Sequence, residues 1–165
     1  MSTYAGNLAT SARTDVVPGE AAPFLTMAEK MMRGELPPPP VAQTVGFRIS
    51  RIERGRAVIE FVAEPRHWNP MGGLHGGILC DIADAAMGMS YATTLAEGET
   101  FTTVELKINF MRPFKTGLLV AEGYIVNGGR TLGVVDCDIR DGAGRLIARA
   151  SSTCMTLRSP NGKES

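Results

Sequence analysis

The residues best suited to chemistry lie in one stretch. Asn69-Pro70-Met71-Gly72-Gly73-Leu74-His75-Gly76-Gly77 runs straight into an apolar segment, residues 78–95, which carries the carboxylates Asp81 and Asp84. A glycine pair that opens a helix presents backbone N–H groups with no side chain in the way. With the helix dipole behind them, such groups stabilise negative charge, including the oxyanion that forms when a carbonyl is attacked. That chemistry calls for a base close by.

Either aspartate fits the spacing. Asp81, Asp84, Gly88 and Tyr91 fall on one helical stripe, beside an apolar stripe of Ile78, Ile82, Ala85 and Met89. Asp81 stands nearer the helix start, where a carboxylate is stabilising without any chemical role. Asp84 is deeper, between Ala83 and Ala85-Ala86. A carboxylate desolvated among small apolar side chains has a raised pKa, which suits a base. His75 stands beside glycines, and His67 is the only other histidine. The two make neither a triad nor a metal site, and no Cys/His set has ligand spacing. His75 therefore reads as structural, its ring hydrogen bonds fixing the loop around Asn69.

These residues need a scaffold, and the composition allows one. The chain has 165 residues, 44% of them hydrophobic, enough for one substantial core. Seventeen basic residues against 17 acidic ones leave no net charge, so no electrostatic case exists for nucleic acid or an anionic membrane as partner. Cys80, Cys137 and Cys154 are odd in number and set in apolar segments, unlike a disulfide framework, and read as reduced, buried thiols. The N-terminus lacks the basic-then-apolar order of a secretory signal, so a cytoplasmic location is expected. Asp81 and Asp84 also make residues 78–95 a core helix rather than a membrane span.

Along the chain, residues 1–20 read as disordered. Residues 22–33 have helical spacing and stop at Gly34, and Pro37-Pro38-Pro39-Pro40 then breaks regular structure. Residues 21–43 thus form an N-terminal helix and a Pro-rich linker. The helix is either a lid or a packing element against the sheet or a partner subunit. From residue 46 strands take over: 47–52 and 56–62 as a hairpin, then, after a helix over 76–95, strands over 102–111, 118–126, 131–140 and 145–157. In the first of these four, Val104, Leu106, Ile108 and Phe110 alternate with Glu105, Lys107 and Asn109, as in a half-buried antiparallel strand. Residues 159–165 read as a flexible tail. The result is an α+β domain over 44–158, a curved antiparallel sheet of five to six strands wrapped around one long helix. Its open edges predict a homo-oligomer that covers them.

Asn69, His75-Gly76-Gly77, Asp84 nine residues after the histidine, and Asn109-Phe110-Met111-Arg112-Pro113 together resemble the hotdog-fold acyl-CoA thioesterases, in particular the PaaI-like, phenylacetate-degradation group. The resemblance covers about residues 44–157. It implies an acyl-CoA substrate, a homodimer or homotetramer with its sites at the subunit interface, no metal, and no cofactor besides the coenzyme A carried by the substrate. It assigns the oxyanion-binding N–H to Gly76, close backbone approach to Gly77, and the catalytic carboxylate to Asp84 rather than Asp81. That carboxylate acts either as general base toward water or as a nucleophile forming an anhydride. Asn69 matches a residue that orients the water or the thioester, and Thr103 falls where some relatives carry a water-holding hydroxyl. His67 and Trp68 either line the acyl pocket or simply pack. Arg112 and Arg130, with Lys115, are candidates for the coenzyme A phosphates, although Arg130 also reads as a solvated turn residue.

The expected reaction is hydrolysis of an aryl- or medium-chain acyl-CoA to free acid and CoA. A hydratase or dehydratase on the same fold would need a histidine and a carboxylate facing each other across the site. A non-catalytic acyl-CoA binding module would not need Asp84 and Asn69.

Overall fold

The computed structural model describes residues 23–158, so the expectations for residues 1–20 and 159–165 lie outside the described residues. Alternation produces six strands, β1 (Phe47–Glu53), β2 (Arg56–Ala63), β3 (Glu99–Phe110), β4 (Gly117–Gly128), β5 (Leu132–Asp141) and β6 (Leu146–Arg158). They form one antiparallel sheet in the order β1-β2-β4-β5-β6-β3. The edges are β1 and β3. Three helices accompany the sheet: α1 (Pro23–Met32), α2 (Pro40–Val45) and α3 (Gly76–Ala92).

The sheet has one apolar face, and α3 covers it. Ile59 and Phe61 of β2, Leu119 and Ala121 of β4, and Val135 and Ile139 of β5 meet Leu79, Ile82, Ala86 and Met87 of α3, all buried. Each large apolar side chain so placed contributes about 1.5–3 kcal/mol of transfer free energy. Gly123 sets the helix height: a Cβ there would stand 2.3 Å from the Ala86 carbonyl oxygen. The helix ends at Ala92, three residues before the apolar run does. There Thr93, fully buried, donates to the Ser90 carbonyl (2.6 Å) and accepts from the Gly55 N–H (2.7 Å). The opposite face of the sheet is polar, with Glu122 paired to Arg56 and Asp138 to both Arg140 and Arg149.

Four local expectations are corrected. The proline run does not stay extended to its end, since Pro40 opens α2; proline lacks only an N–H that the first helical turn leaves unbonded anyway. Gly46, at φ 93°, then stops that helix. Of the two readings of the N-terminal helix, packing against the sheet holds and the lid gives way: α1 packs on β1 with Ala28 fully buried. Cys137 and Cys154 are buried thiols, but Cys80 is only partly covered.

The fourth correction shapes the site. The β3–β6 register slips between Thr103 and Glu105, a β-bulge that leaves Val104 unpaired and 55% exposed. Val104 therefore does not continue the inward series of Leu106 and Ile108. Upstream of the bulge the phase changes, and Phe101 and Thr103 are the residues turned toward α3.

Candidate functional site

Asn69 folds the approach to α3. Its Oδ1 accepts from the N–H groups of Met71 (2.9 Å) and Gly73 (3.2 Å), while its own backbone exchanges bonds with Gly73 and Gly72. Such short-range side-chain-to-backbone bonds are what asparagine offers a tight loop. With Oδ1 occupied, the amide Nδ2 remains as a donor.

His75 then caps the helix. Its Nδ1 accepts from the Gly77 N–H at 2.9 Å, satisfying one of the donors a helix start leaves open. The His75 ring caps α3 rather than fixing the loop, which Asn69 holds itself. Among the described residues no acceptor meets the Gly76 N–H. The Phe110 ring lies over this residue, and a Cβ on Gly76 would come within 3.0 Å of Phe110 Cζ. Glycine is thus required where the N–H must stay reachable. The sequence alone sets Phe110 in a motif and in the inward series of its strand, and gives it no place at the start of α3; the side chain is 54% exposed.

Asp84 stands two turns further along α3, and Thr103 reaches it: the Thr103 hydroxyl donates to Asp84 Oδ1 at 3.0 Å. The expectation that Asp84 is desolvated is not met within one chain, where both Asp81 and Asp84 are exposed and Gly88 and Tyr91 are the buried members of the stripe. Asp81 is the carboxylate whose pKa is pushed up, first by partial burial and then by the charge of Asp84, with His75 opposing. Cys154, paired with Thr103 across the strands, has its thiol pushed up by burial.

Other candidates are more scattered. His67 is 7% exposed, its ring 4.8 Å from that of Phe61 and its Nδ1 accepting from the Glu64 N–H. That environment favours packing over contact with a ligand. The Trp68 indole donates to the Lys115 carbonyl (2.9 Å), and the Lys115 ammonium sits 4.7 Å above the ring. Arg112 donates to the Leu146 carbonyl at the start of β6. Arg130 belongs to the β4–β5 turn, where its carbonyl accepts from Arg158 at the end of β6. The Arg112 backbone bonds to Ile147, eleven residues before Arg158. At about 3.3 Å per residue the two arginines are roughly 36 Å apart, at opposite ends of the sheet. Among the described residues no three His, Cys, Asp or Glu side chains gather as a metal-ligand set.

An antiparallel sheet wrapped on one long helix, with a reachable N–H at the start of that helix and a carboxylate on its open side, is the hotdog arrangement. Residues 71–148 match the Thioesterase superfamily. Human acyl-coenzyme A thioesterase 13 is 31% identical over 101 residues, which are 60% of this chain and 71% of that protein. The chain belongs to the thioesterase superfamily. Within it, the 1,4-dihydroxy-2-naphthoyl-CoA hydrolase of Listeria monocytogenes is 25% identical over 111 residues, 67% of this chain and 90% of that one. The solved structure of a phenylacetic acid degradation-related protein from Ralstonia eutropha JMP134 superposes with a TM-score of 0.71 at 33% identity, covering 78% of this chain and 98% of that chain. The PaaI-like resemblance therefore holds, and this thioesterase is a thioester hydrolase. No helix among its described residues is long and apolar enough to cross a membrane.

Proposed function

We propose that this thioesterase hydrolyses acyl-CoA thioesters at sites assembled from two copies of the chain. The observation that carries the reading is a separation. Gly76 and Asp84 lie eight residues apart on one rigid helix, about 12 Å along its axis. A carbonyl oxygen bonded to the Gly76 N–H is then out of reach of water held by the same chain's Asp84. Two antiparallel α3 helices related by a two-fold axis near Cys80 bring the Gly76 of one chain beside the Asp84 of its partner.

The strands agree with that axis. Gly76 is tied to Phe110 and Asp84 to Thr103, so the same two-fold sets Phe110 of one β3 near Thr103 of the other, with its centre between Leu106 and Lys107. This pairing would cover the open edge of β3. It also brings the Arg112 end of one chain toward the Arg130 end of the other, so that the two guanidinium groups can serve one coenzyme A.

In the reaction, the Gly76 N–H and the α3 N-terminus hold the thioester carbonyl oxygen, and the Asn69 amide donor orients the thioester. Asp84 of the second chain takes a proton from water as the water oxygen bonds to the carbonyl carbon. The Thr103 hydroxyl holds that carboxylate in place. The tetrahedral oxyanion collapses, the C–S bond breaks, and the coenzyme A sulfur leaves and takes up the proton. Water is the second substrate, and neither metal nor cofactor is needed.

The test is CoA release, followed with a thiol reagent against an enzyme-only blank for the three cysteines. Asp84→Asn and Gly76→Val are made separately and then mixed after unfolding and refolding together. Each alone is expected to be inactive. The mixture should recover activity, because half of the sites in a mixed dimer carry two intact halves. A mixture as inactive as its parents, with mixed dimers demonstrated by mass, would overturn the two-chain site.

A further inference from the structure

Past Asp84, α3 continues in small residues. Gly88 and Ala92 follow Asp84 at intervals of four, and both are buried. Thr103 faces Asp84. Phe101, two residues earlier and turned to the same side of β3, covers Gly88: a Cβ on Gly88 would stand 3.2 Å from Phe101 Cζ. Just beyond Phe101, on the side away from Gly76, lies a cavity of about 270 Å³. Its walls include Phe24 of α1, Ala92 and Leu95 at the end of α3, Ala96, and Phe101 itself. Glu99 and Thr100 also reach the wall, with the Glu99 carboxylate engaged by the Ala96 N–H (3.0 Å) and the Arg158 guanidinium (2.8 Å), so the lining is mostly apolar.

We infer that this cavity receives the far end of a straight, medium-length acyl chain, with Phe101 as its door and Phe24 of α1 as its end wall. The inference rests on the proposed hydrolysis with Asp84 at the carbonyl. Three observations carry it. Phe101 stands between the Asp84–Thr103 pair and the cavity: it is two residues from Thr103 on β3 and is itself part of the cavity wall. Gly88 offers no side chain where the Phe101 ring lies, so a chain that turns this ring aside passes over bare helix there and beside the ring of Tyr91, 5.6 Å from that of Phe101. The distance also sets a length. Ala92 is eight residues past Asp84, about 12 Å along the helix. An extended hydrocarbon advances roughly 1.3 Å per carbon, given a C–C bond of about 1.5 Å, so about nine carbons span the gap. Substrate length is then read by α1, a helix that precedes the sheet and is held against it by its packing on β1.

The experiment measures kcat/KM for acetyl-, hexanoyl-, decanoyl- and hexadecanoyl-CoA with the wild type, Ala96→Phe and Phe24→Ala. Wild type should peak at decanoyl. Ala96→Phe, which fills the cavity, should lower the decanoyl-to-acetyl ratio about tenfold, in keeping with what a few methylenes are worth in an apolar pocket. Phe24→Ala, which removes the end wall, should raise the hexadecanoyl-to-decanoyl ratio severalfold. The two variants push the preference in opposite directions, so a general loosening of α1 does not imitate the result. CoA release by the wild type with both ratios unmoved in the two variants would overturn the acyl cavity and leave thioester hydrolysis standing. No CoA release from these thioesters or from phenylacetyl- and benzoyl-CoA would overturn both.

Discussion

The Thr103 hydroxyl donates to Asp84 Oδ1 at 3.0 Å, tying the edge strand of the sheet to the central helix at the carboxylate that the proposed reaction uses. A donor to one carboxylate oxygen fixes which oxygen faces the substrate. Thr103→Val keeps the shape and loses the donor. We expect kcat to fall about tenfold or more, since a hydrogen bond to a charged group is worth about 1.5–3 kcal/mol. Thr103→Ser, which keeps the donor, should recover most of the rate, whereas a merely structural threonine would leave kcat in place in both variants.

The general-base and anhydride routes differ in where an oxygen ends up. With enzyme in excess and a single turnover in oxygen-18 water, a general base puts the label in the released acid. We expect that result, with the peptide containing Asp84 unlabelled by mass spectrometry. Heavy oxygen on that peptide would establish Asp84 as the nucleophile instead.

The cap on α3 is separable from chemistry. His75→Ala removes the acceptor for the Gly77 N–H and should cost about 1 kcal/mol of stability, while His75→Asn, which keeps a short-range acceptor, should recover most of it. Urea midpoints of the two variants decide this. Equal loss in both would mean that the ring matters for packing rather than capping.

Gly123→Ala tests how closely helix and sheet are set. The new Cβ would stand 2.3 Å from a backbone oxygen that no rotamer change can move. Overpacking typically costs about 1–3 kcal/mol, and this site belongs at the upper end. The midpoint of denaturation should fall accordingly. The CoA-release rate should fall with it, because α3 carries both Gly76 and Asp84.

The outer face predicts a pH dependence. Burial alone would push the Asp138 carboxyl up, but the guanidinium groups of Arg149 (2.5 Å) and Arg140 (2.8 Å) outweigh it and hold the pKa below the ordinary range. A lowered folded-state pKa contributes stability that is present above the unfolded-state value and is lost as pH falls through the folded one. Asp138→Asn should therefore cost about 1–2 kcal/mol near neutrality, a figure reduced by the half-exposed Arg149 side chain. The gap to wild type should close as the pH is taken below about 4. A gap independent of pH would mean that shape, and not charge, is what Asp138 supplies.

Much of this was legible in the residues. The period-two runs placed all six strands, and glycines at 76 and 77 placed the start of α3, because apolar spacing and the absence of a side chain are local properties. The Asp84–Thr103 pair was legible only through resemblance. Simple alternation set Val104 inward and so turned Thr103 to solvent. The bulge reverses this, and it is decided by the register between β3 and β6, which no local pattern contains. Pro40 misled for a related reason: a proline that ends one segment is also a good first residue for the next helix. The small neighbours of Asp84 similarly suggested burial. Yet they leave it exposed on a single chain, because that side of the helix meets the sheet only at its open edge, β3.

The eight residues between Gly76 and Asp84 also fix how the rate depends on enzyme concentration. If neither chain holds a whole site, turnover per chain is a measure of pairing. It should stay constant while chains are mostly paired and fall in proportion to total chain concentration once most of them are single. The assay itself then becomes a binding isotherm for the protein with its own copy.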